Sequence, residues 1–133
     1  MAQQMVRKEI SIGDKMPDGT IFAGISPETN NPMYTTPANA PLKMTLDEAK
    51  DHAAKLNAHG HKDWRLPTKA ELNLLFQNRA EIRGFDMSTH PADSYWSSSM
   101  YGIWYAWSQR FTDGAQTNNN LINGVQLSVR LVR

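Results

Sequence analysis

The fold is decided by the stretch Asp63–Leu72, which reads DWRLPTKAEL. Pro67 lacks a backbone donor, and Thr68 followed three residues later by Glu71 forms a capping box, so a helix is predicted to begin here. Gly84 supplies a stop signal for it. The apolar face of this helix is predicted to consist of Leu72, Leu75, Phe76 and Ile82.

The residues just before this helix are predicted to be structural. Trp64 and Leu66 are expected to fill the core, while Pro67 and Thr68 set the angle at which the chain enters the helix. Arg65 is expected to pair with a carboxylate or to hold loop carbonyls. This interpretation is favoured over a direct ligand-binding role for the stretch.

A second capping box lies upstream, at Thr45-Leu46-Asp47-Glu48. His59-Gly60 offers a C-terminal stop for the helix that it predicts. The spacing of the apolar residues fits one helical face, made of Leu46, Ala49, Ala53 and Leu56. The carboxylates in the first turn of this helix are explained by the helix dipole, not by acid–base chemistry.

Short strand signals flank the two helices. Five runs of alternating or β-branched residues are predicted as strands, namely Ile21–Ile25, Met33–Thr35, Tyr95–Ser98, Ala106–Phe111 and Leu127–Val132. The 133 residues therefore predict one α+β domain, in which two helices pack on an antiparallel sheet and the C-terminal half is rich in loops. Residues 1–8 are predicted to be a flexible leader, and residues 9–133 the domain.

Composition excludes several classes of protein. Fourteen basic and 13 acidic residues leave a net charge of +1, which argues against nucleic-acid binding, and the absence of cysteine excludes disulfides and thiol chemistry. No apolar run approaches the roughly 20 residues of a membrane span. Because Met1–Ile10 is too polar for a signal peptide, a cytoplasmic or phage-associated location is expected in preference to Sec-dependent secretion.

No catalytic or metal-binding constellation is visible. The four histidines, His52, His59, His61 and His90, lack the spacing of a metal site, so we expect no metal and no cofactor. Asp14, Asp18 or Asp113 could still hold a structural cation. The serines Ser97-Ser98-Ser99 have no partner base in the sequence, and the prediction is that the protein is not an enzyme.

The last 40 residues carry the functional signal. They hold three of the four tryptophans and three of the four tyrosines, with Asp113 as the single acid and no lysine. Tyr, Trp, Asn, Ser and Gly are the residues that antibody-type binding surfaces use. We predict a ligand-binding surface within residues 100–126, made of Tyr101, Gly102, Ile103, Trp104, Tyr105, Ala115, Thr117, Asn118, Asn119, Asn120, Ile122, Gly124 and Val125.

Different roles are predicted for the residues of this region. Tyr101, Trp104 and Tyr105 are expected to anchor the ligand. Adaptable polar contacts are expected from the run Thr117–Asn120. The rigid core below the surface is predicted to consist of Trp64, Trp96, Trp107 and Phe111.

An ordered set of motifs resembles a known family. After DWRLPTKAEL come Tyr95–Ser99 (YWSSS), Phe111–Gly114 (FTDG) and a closing Val129–Arg133 (VRLVR), and together they resemble the C-terminal domains of bacterial collagen-like adhesins, which have a C-type-lectin fold. The WRLPT segment is also similar to formylglycine-generating enzymes, which work with cysteines that this chain lacks. The Glu-Pro-Asn and Trp-Asn-Asp motifs of calcium-dependent lectins are absent.

A narrower resemblance is to the variable proteins of diversity-generating retroelements. In those systems template adenines are randomised, so AAY codons for Asn scatter into every residue type except Trp, Lys, Glu, Gln and Met. Residues 101–103, Tyr105, Ala115 and the run Thr117–Val125 fit this rule, whereas Trp104 does not.

Three function classes stay open at this point. The first is a diversified receptor-like binding protein, and the second is a fixed lectin-like adhesin module that binds glycans. The third is an enzyme of the formylglycine-generating type, which the missing cysteines disfavour. The expected partner is a protein or glycan bound through the C-terminal loops, without nucleic acid or membrane insertion. The adhesin resemblance also implies a homotrimer.

Overall fold

The computed structural model describes residues 9–133, so the predicted leader 1–8 lies outside the described residues. The elements are, in chain order, β1 (Ile21–Ile25), β2 (Pro32–Thr35), α1 (Leu46–Lys55), α2 (Lys69–Gln77), α3 (Arg79–Ile82), β3 (Ser94–Tyr101), β4 (Tyr105–Arg110), β5 (Gln116–Asn120) and a 3₁₀ turn at Leu121–Asn123. Within this range no helix is both long enough and apolar enough to cross a membrane. The predicted α+β class is confirmed.

Two antiparallel sheets carry the strands. β1 pairs with β2, and β3, β4 and β5 form a three-stranded sheet in that order. In the larger sheet Tyr101 lies opposite Tyr105, and the register between β3 and β4 shifts between Trp96 and Met100. β5 continues the ladder from the Tyr105–Asn120 pair to the Gln109–Gln116 pair. The sheet therefore has one end at the β3–β4 turn and the other near Arg110.

Both predicted capping boxes are present. Thr45 accepts from the Glu48 amide while the Glu48 side chain accepts from the Thr45 amide, and Thr68 and Glu71 do the same at α2. The second helix is shorter than the sequence predicts. It ends at Gln77, because Asn78 leaves helical geometry and turns its side-chain amide onto the Leu74 carbonyl at 2.9 Å, and α3 follows as a separate turn.

The prediction of a fifth strand, at Leu127–Val132, is wrong. This segment is buried and makes isolated bridges to several partners instead of one ladder. Leu127 exchanges hydrogen bonds with Met44, and Val132 exchanges them with Arg65. The third strand of the larger sheet is instead β5, a segment that is not among the predicted strands.

The core has two parts that meet at the sheet. Trp64 and Trp96 lie in the first, with α1, and are 4% and 0% exposed. Phe111 lies in the second, with α2, and its ring packs against that of Tyr95, with 4.6 Å between the ring centroids. The core prediction is thus confirmed for three aromatic residues, but it is wrong for Trp107, which is only half-buried.

Candidate ligand-binding surface

The β3–β4 turn projects large side chains into solvent. Tyr101 and Tyr105 close the ladder and are 60% and 38% exposed. Between them, Ile103 and Trp104 are 78% and 55% exposed. Gly102 has a φ of 70°, the left-handed conformation that such a tight turn requires. These four exposed side chains, Tyr101, Ile103, Trp104 and Tyr105, form an apolar tip rather than part of the core.

Trp107 lies on the face of the sheet next to this tip. Its neighbours along β4, Ala106 and Ser108, are buried, so strand alternation directs Trp107 to the opposite face. There its ring makes an edge contact with Tyr101, with 6.1 Å between ring centroids. In the sequence, Trp107 lies between two small residues, Ala106 and Ser108, in a predicted strand. This spacing is the signal that could have identified Trp107 as a surface residue.

Lys69 also contacts the Trp107 ring. Its ammonium lies 3.6 Å from the ring centroid, within the range of a cation–π interaction. The backbone of Lys69 is itself held, since its amide donates to the Ser99 hydroxyl at 2.8 Å. Lys69 therefore brings a positive charge next to Trp107, and it is not among the residues predicted for the surface.

The four polar residues predicted on β5 have different environments. Thr117 and Asn118 are exposed, and Asn118 lies opposite Trp107. Asn119 is half-buried and its amide donates to the Ser108 hydroxyl at 2.6 Å, while Asn120 accepts from the Ile122 amide and caps the 3₁₀ turn. Thr117 and Asn118 are available to a ligand, whereas the side chains of Asn119 and Asn120 are engaged in hydrogen bonds within the domain.

A backbone hydrogen bond joins the 3₁₀ turn to the apolar tip. The Leu121 amide donates to the Trp104 carbonyl at 2.8 Å, and the next residue, Ile122, is 69% exposed. Gly124 is exposed as well, whereas Val125 is half-buried and packs against the core. Ile122 thus extends the apolar tip beyond the hairpin.

Ala115 is separated from the rest of the predicted set. It directly precedes Gln116, the first residue of β5, whereas Asn120 is the last residue of that strand. The Ala115 carbonyl accepts a hydrogen bond from the Arg110 amide. Five residues of extended chain place it roughly 16 Å from the tip. The structure therefore assembles most of the predicted residues at one end of the sheet but leaves Ala115 at the other.

Comparison with known proteins places the chain in a family. The family described as Lcl C-terminal domain matches residues 26–133. The chain belongs to this family. No curated protein matches the sequence at a significant level. The α+β architecture described above is accordingly a C-type-lectin-like fold, and the family is one of lectin-like ligand-binding domains.

The family match begins at Ser26, which belongs to a buried polar network around Glu71. Ser26 donates to Glu71 at 2.5 Å, and Arg65 makes two hydrogen bonds to the same carboxylate at 2.6 and 2.8 Å. Burial opposes ionisation of Glu71, but the hydrogen bonds from Arg65, Ser26 and the Thr68 backbone prevail and lower its pKa to about 2. Of the two roles left open for Arg65, the carboxylate pair is the one observed.

The aspartates considered for a cation have protein partners. The Asp18 carboxylate accepts a hydrogen bond from the Thr20 amide, and its Oδ2 lies 2.7 Å from Nε2 of His61. The hydrogen bonds from the Thr20 backbone and from His61 lower the pKa of Asp18. Asp113 accepts from the Ala115 amide and pairs with Arg110. Across residues 9–133 no group of three or more histidine, aspartate or glutamate side chains is arranged to hold a metal ion.

Proposed function

We propose that this domain is a non-catalytic ligand-binding protein that displays a diversified C-terminal surface, as the variable proteins of diversity-generating retroelements do. The observation that carries the proposal is the exposed tip of Tyr101, Ile103, Trp104 and Tyr105 at the end of the antiparallel sheet. A cluster of exposed apolar side chains of this kind marks an interaction site in a soluble domain.

The chemistry of the surface suits binding of a macromolecule. Tyrosine and tryptophan bury large areas with little loss of conformational entropy, and exposed amides such as Asn118 adapt their hydrogen bonds to different partners. The edge of the tip carries the Lys69 ammonium. The proposed ligand is a protein or glycan that covers the tip and contacts β5.

The separation between exposed surface residues and buried core residues supports diversification. Exposed residues such as Ile103, Asn118 and Ile122 have no role in the core, so substitutions there leave the fold intact. They are flanked by fully buried residues such as Trp96 and Leu127, which hold the scaffold. A surface that tolerates substitution on an invariant core is what a diversified binding protein requires.

The second candidate is a fixed lectin-like adhesin module that binds glycans. The exposed rings of Tyr101 and Trp104 favour it, because flat aromatic faces beside amides are suited to the apolar faces of sugar rings. The two candidates share the same surface and differ in whether its residues vary.

Sequencing of the DNA around the gene tests the proposal. We expect a near-copy of the segment that encodes residues 100–133, with mismatches confined to adenines of the copy, beside a reverse transcriptase gene. Absence of such a copy would contradict diversification. The glycan-binding module would then be the better account, and a glycan array would follow.

A further inference from the structure

Arg83 occupies a backbone conformation that is ordinarily reserved for glycine. Its φ is 68° and its ψ is 171°. Residues other than glycine are strained in this region, and such strain persists where the surrounding structure imposes it. Asn30 and His59 also have positive φ, but Asn and His are among the residue types that tolerate it best.

The backbone around Arg83 is fixed by its neighbours. The Arg83 amide donates to the Arg79 carbonyl at 2.9 Å, and its carbonyl accepts from the buried Arg130 guanidinium at 3.0 Å. At the next position, a Cβ on Gly84 would lie 2.7 Å from the Pro37 carbonyl. A glycine at position 83 would make the same backbone contacts without strain, so the fold alone does not explain an arginine there.

The side chain of Arg83 lines a cleft of about 500 Å³. Arg79 lines the same cleft, and its guanidinium is held over the Phe76 ring at 4.0 Å while donating to the Phe76 carbonyl. Arg83, in contrast, makes no side-chain hydrogen bond or ion pair with any residue between 9 and 133. The cleft thus presents one guanidinium fixed in place and a second that is free for a ligand.

The rest of the cleft lining is mixed in character. Glu81 contributes one negative charge, which leaves an excess of one positive charge with Arg79 and Arg83. Phe85 and Met87 supply apolar surface, and Met87 is 45% exposed. A ligand that fits this lining carries an anionic group for the guanidinium and an apolar group for Phe85.

We propose that this cleft binds a carboxylate carried on an aromatic or apolar group, with Arg83 as the main anion contact. Guanidinium groups are suited to carboxylates because they donate two parallel hydrogen bonds. The cleft lies far from the apolar tip. Phe85 packs against Tyr95 at 5.6 Å, and six residues of β3, or roughly 20 Å, separate Tyr95 from Tyr101. This second site is independent of the function proposed above.

A pair of small probes that differ only in charge tests the proposal. N-acetylphenylalanine carries the carboxylate, and N-acetylphenylalaninamide replaces it with a neutral amide. In an NMR titration of the full chain, we expect saturable shifts of the amides of residues 79–87 with the acid, and at least tenfold weaker binding of the amide. Equal binding of the two probes, or no saturation by the acid at tens of millimolar, would overturn the proposal.

Three variants separate charge from backbone strain. Arg83→Gln keeps a side chain in the strained conformation but removes the charge, and it should bind the acid at least tenfold more weakly. Arg83→Gly relieves the strain, so it should lose the same affinity while its unfolding midpoint stays equal to or above that of the wild type. Lys62→Gln removes one exposed positive charge elsewhere and should bind normally. Unchanged affinity in Arg83→Gln, or a lowered midpoint in Arg83→Gly, would show that Arg83 is structural.

Discussion

The ammonium of Lys69 lies 3.6 Å from the centroid of the Trp107 ring, and this contact ties the start of α2 to the middle strand of the sheet directly beside the exposed tip. Trp107 in turn meets Tyr101 edge-on. The three side chains form a continuous row from the helix to the tip. A cation over an indole ring contributes roughly 0.5–1 kcal/mol at an exposed site, so Lys69 stabilises the Trp107 ring against which Tyr101 packs.

Replacement of Trp107 should therefore weaken ligand binding more than it weakens the fold. We expect Trp107→Ala to lower affinity about tenfold, because Tyr101 loses its support and the surface loses an aromatic side chain. The matched control is Trp96→Ala, which removes a fully buried tryptophan and should cost about 3–5 kcal/mol of stability. Thermal unfolding and ligand titration distinguish the two. A Trp107→Ala variant as unstable as Trp96→Ala would show that Trp107 is a core residue after all.

The buried Glu71 carboxylate should make the stability of the domain depend on pH. Its pKa is lowered from 4.5 to about 2, so the unfolded chain binds more protons than the folded one as the pH falls. The stabilisation is fully present above about pH 5 and is lost progressively as the pH drops toward 2, for a total of about 3 kcal/mol. Urea unfolding at several pH values measures it.

Glu71→Gln is the matching variant. It should be less stable than the wild type by about 2–3 kcal/mol at pH 7, because the hydrogen bonds from Arg65 and Ser26 lose their charged acceptor, whereas Arg65 itself is 40% exposed and can be hydrated. Its stability should also vary less between pH 5 and pH 2. A variant that keeps the full pH dependence of the wild type would show that other carboxylates are responsible.

Asn118 and Asn119 are adjacent but should respond differently to substitution. Asn119→Ala breaks the 2.6 Å hydrogen bond to Ser108 and should cost about 1–2 kcal/mol of stability. Asn118→Ala removes an exposed amide opposite Trp107, so stability should stay within about 0.5 kcal/mol while binding weakens. Chemical denaturation of both variants provides the comparison. Equal stability of the two would contradict the structural role of Asn119.

Gly114 should not tolerate a side chain. It has a φ of 82°, and an added Cβ would lie 2.6 Å from the Phe76 ring. Phe76 packs on Phe111 at 5.6 Å and cannot move without disturbing the core. We expect Gly114→Ala to cost about 2–3 kcal/mol. Gly102→Ala, where an added Cβ meets nothing within 4 Å, is the control, because it keeps the backbone strain without the clash.

The parts of the fold that depend on local signals were predictable from the sequence. The two capping boxes place the starts of α1 and α2 correctly, since each box involves only four consecutive residues. The strand β5 was not predicted because Gln116–Asn120 has little β propensity and is extended through its pairing with β4. Leu127–Val132 has a strong strand pattern, yet its hydrogen bonds go to several distant partners.

The candidate site was predictable to a similar degree. The residue types between Tyr101 and Tyr105 indicated an exposed surface, and the structure exposes them. The row formed with Lys69 was not predictable, because it brings together residues that are 38 positions apart in sequence. The strain at Arg83 was equally invisible, since it depends on contacts with Arg130.

The most direct test of the central claim is the affinity of the variant Tyr101→Ala/Tyr105→Ala for the first ligand found in parallel protein and glycan screens. Both side chains lie at the exposed tip, so the unfolding midpoint should change little. Loss of two aromatic anchors should weaken binding by a factor of about 100 or more. Wild-type affinity in a folded double variant would contradict the claim that this tip is the ligand-binding surface.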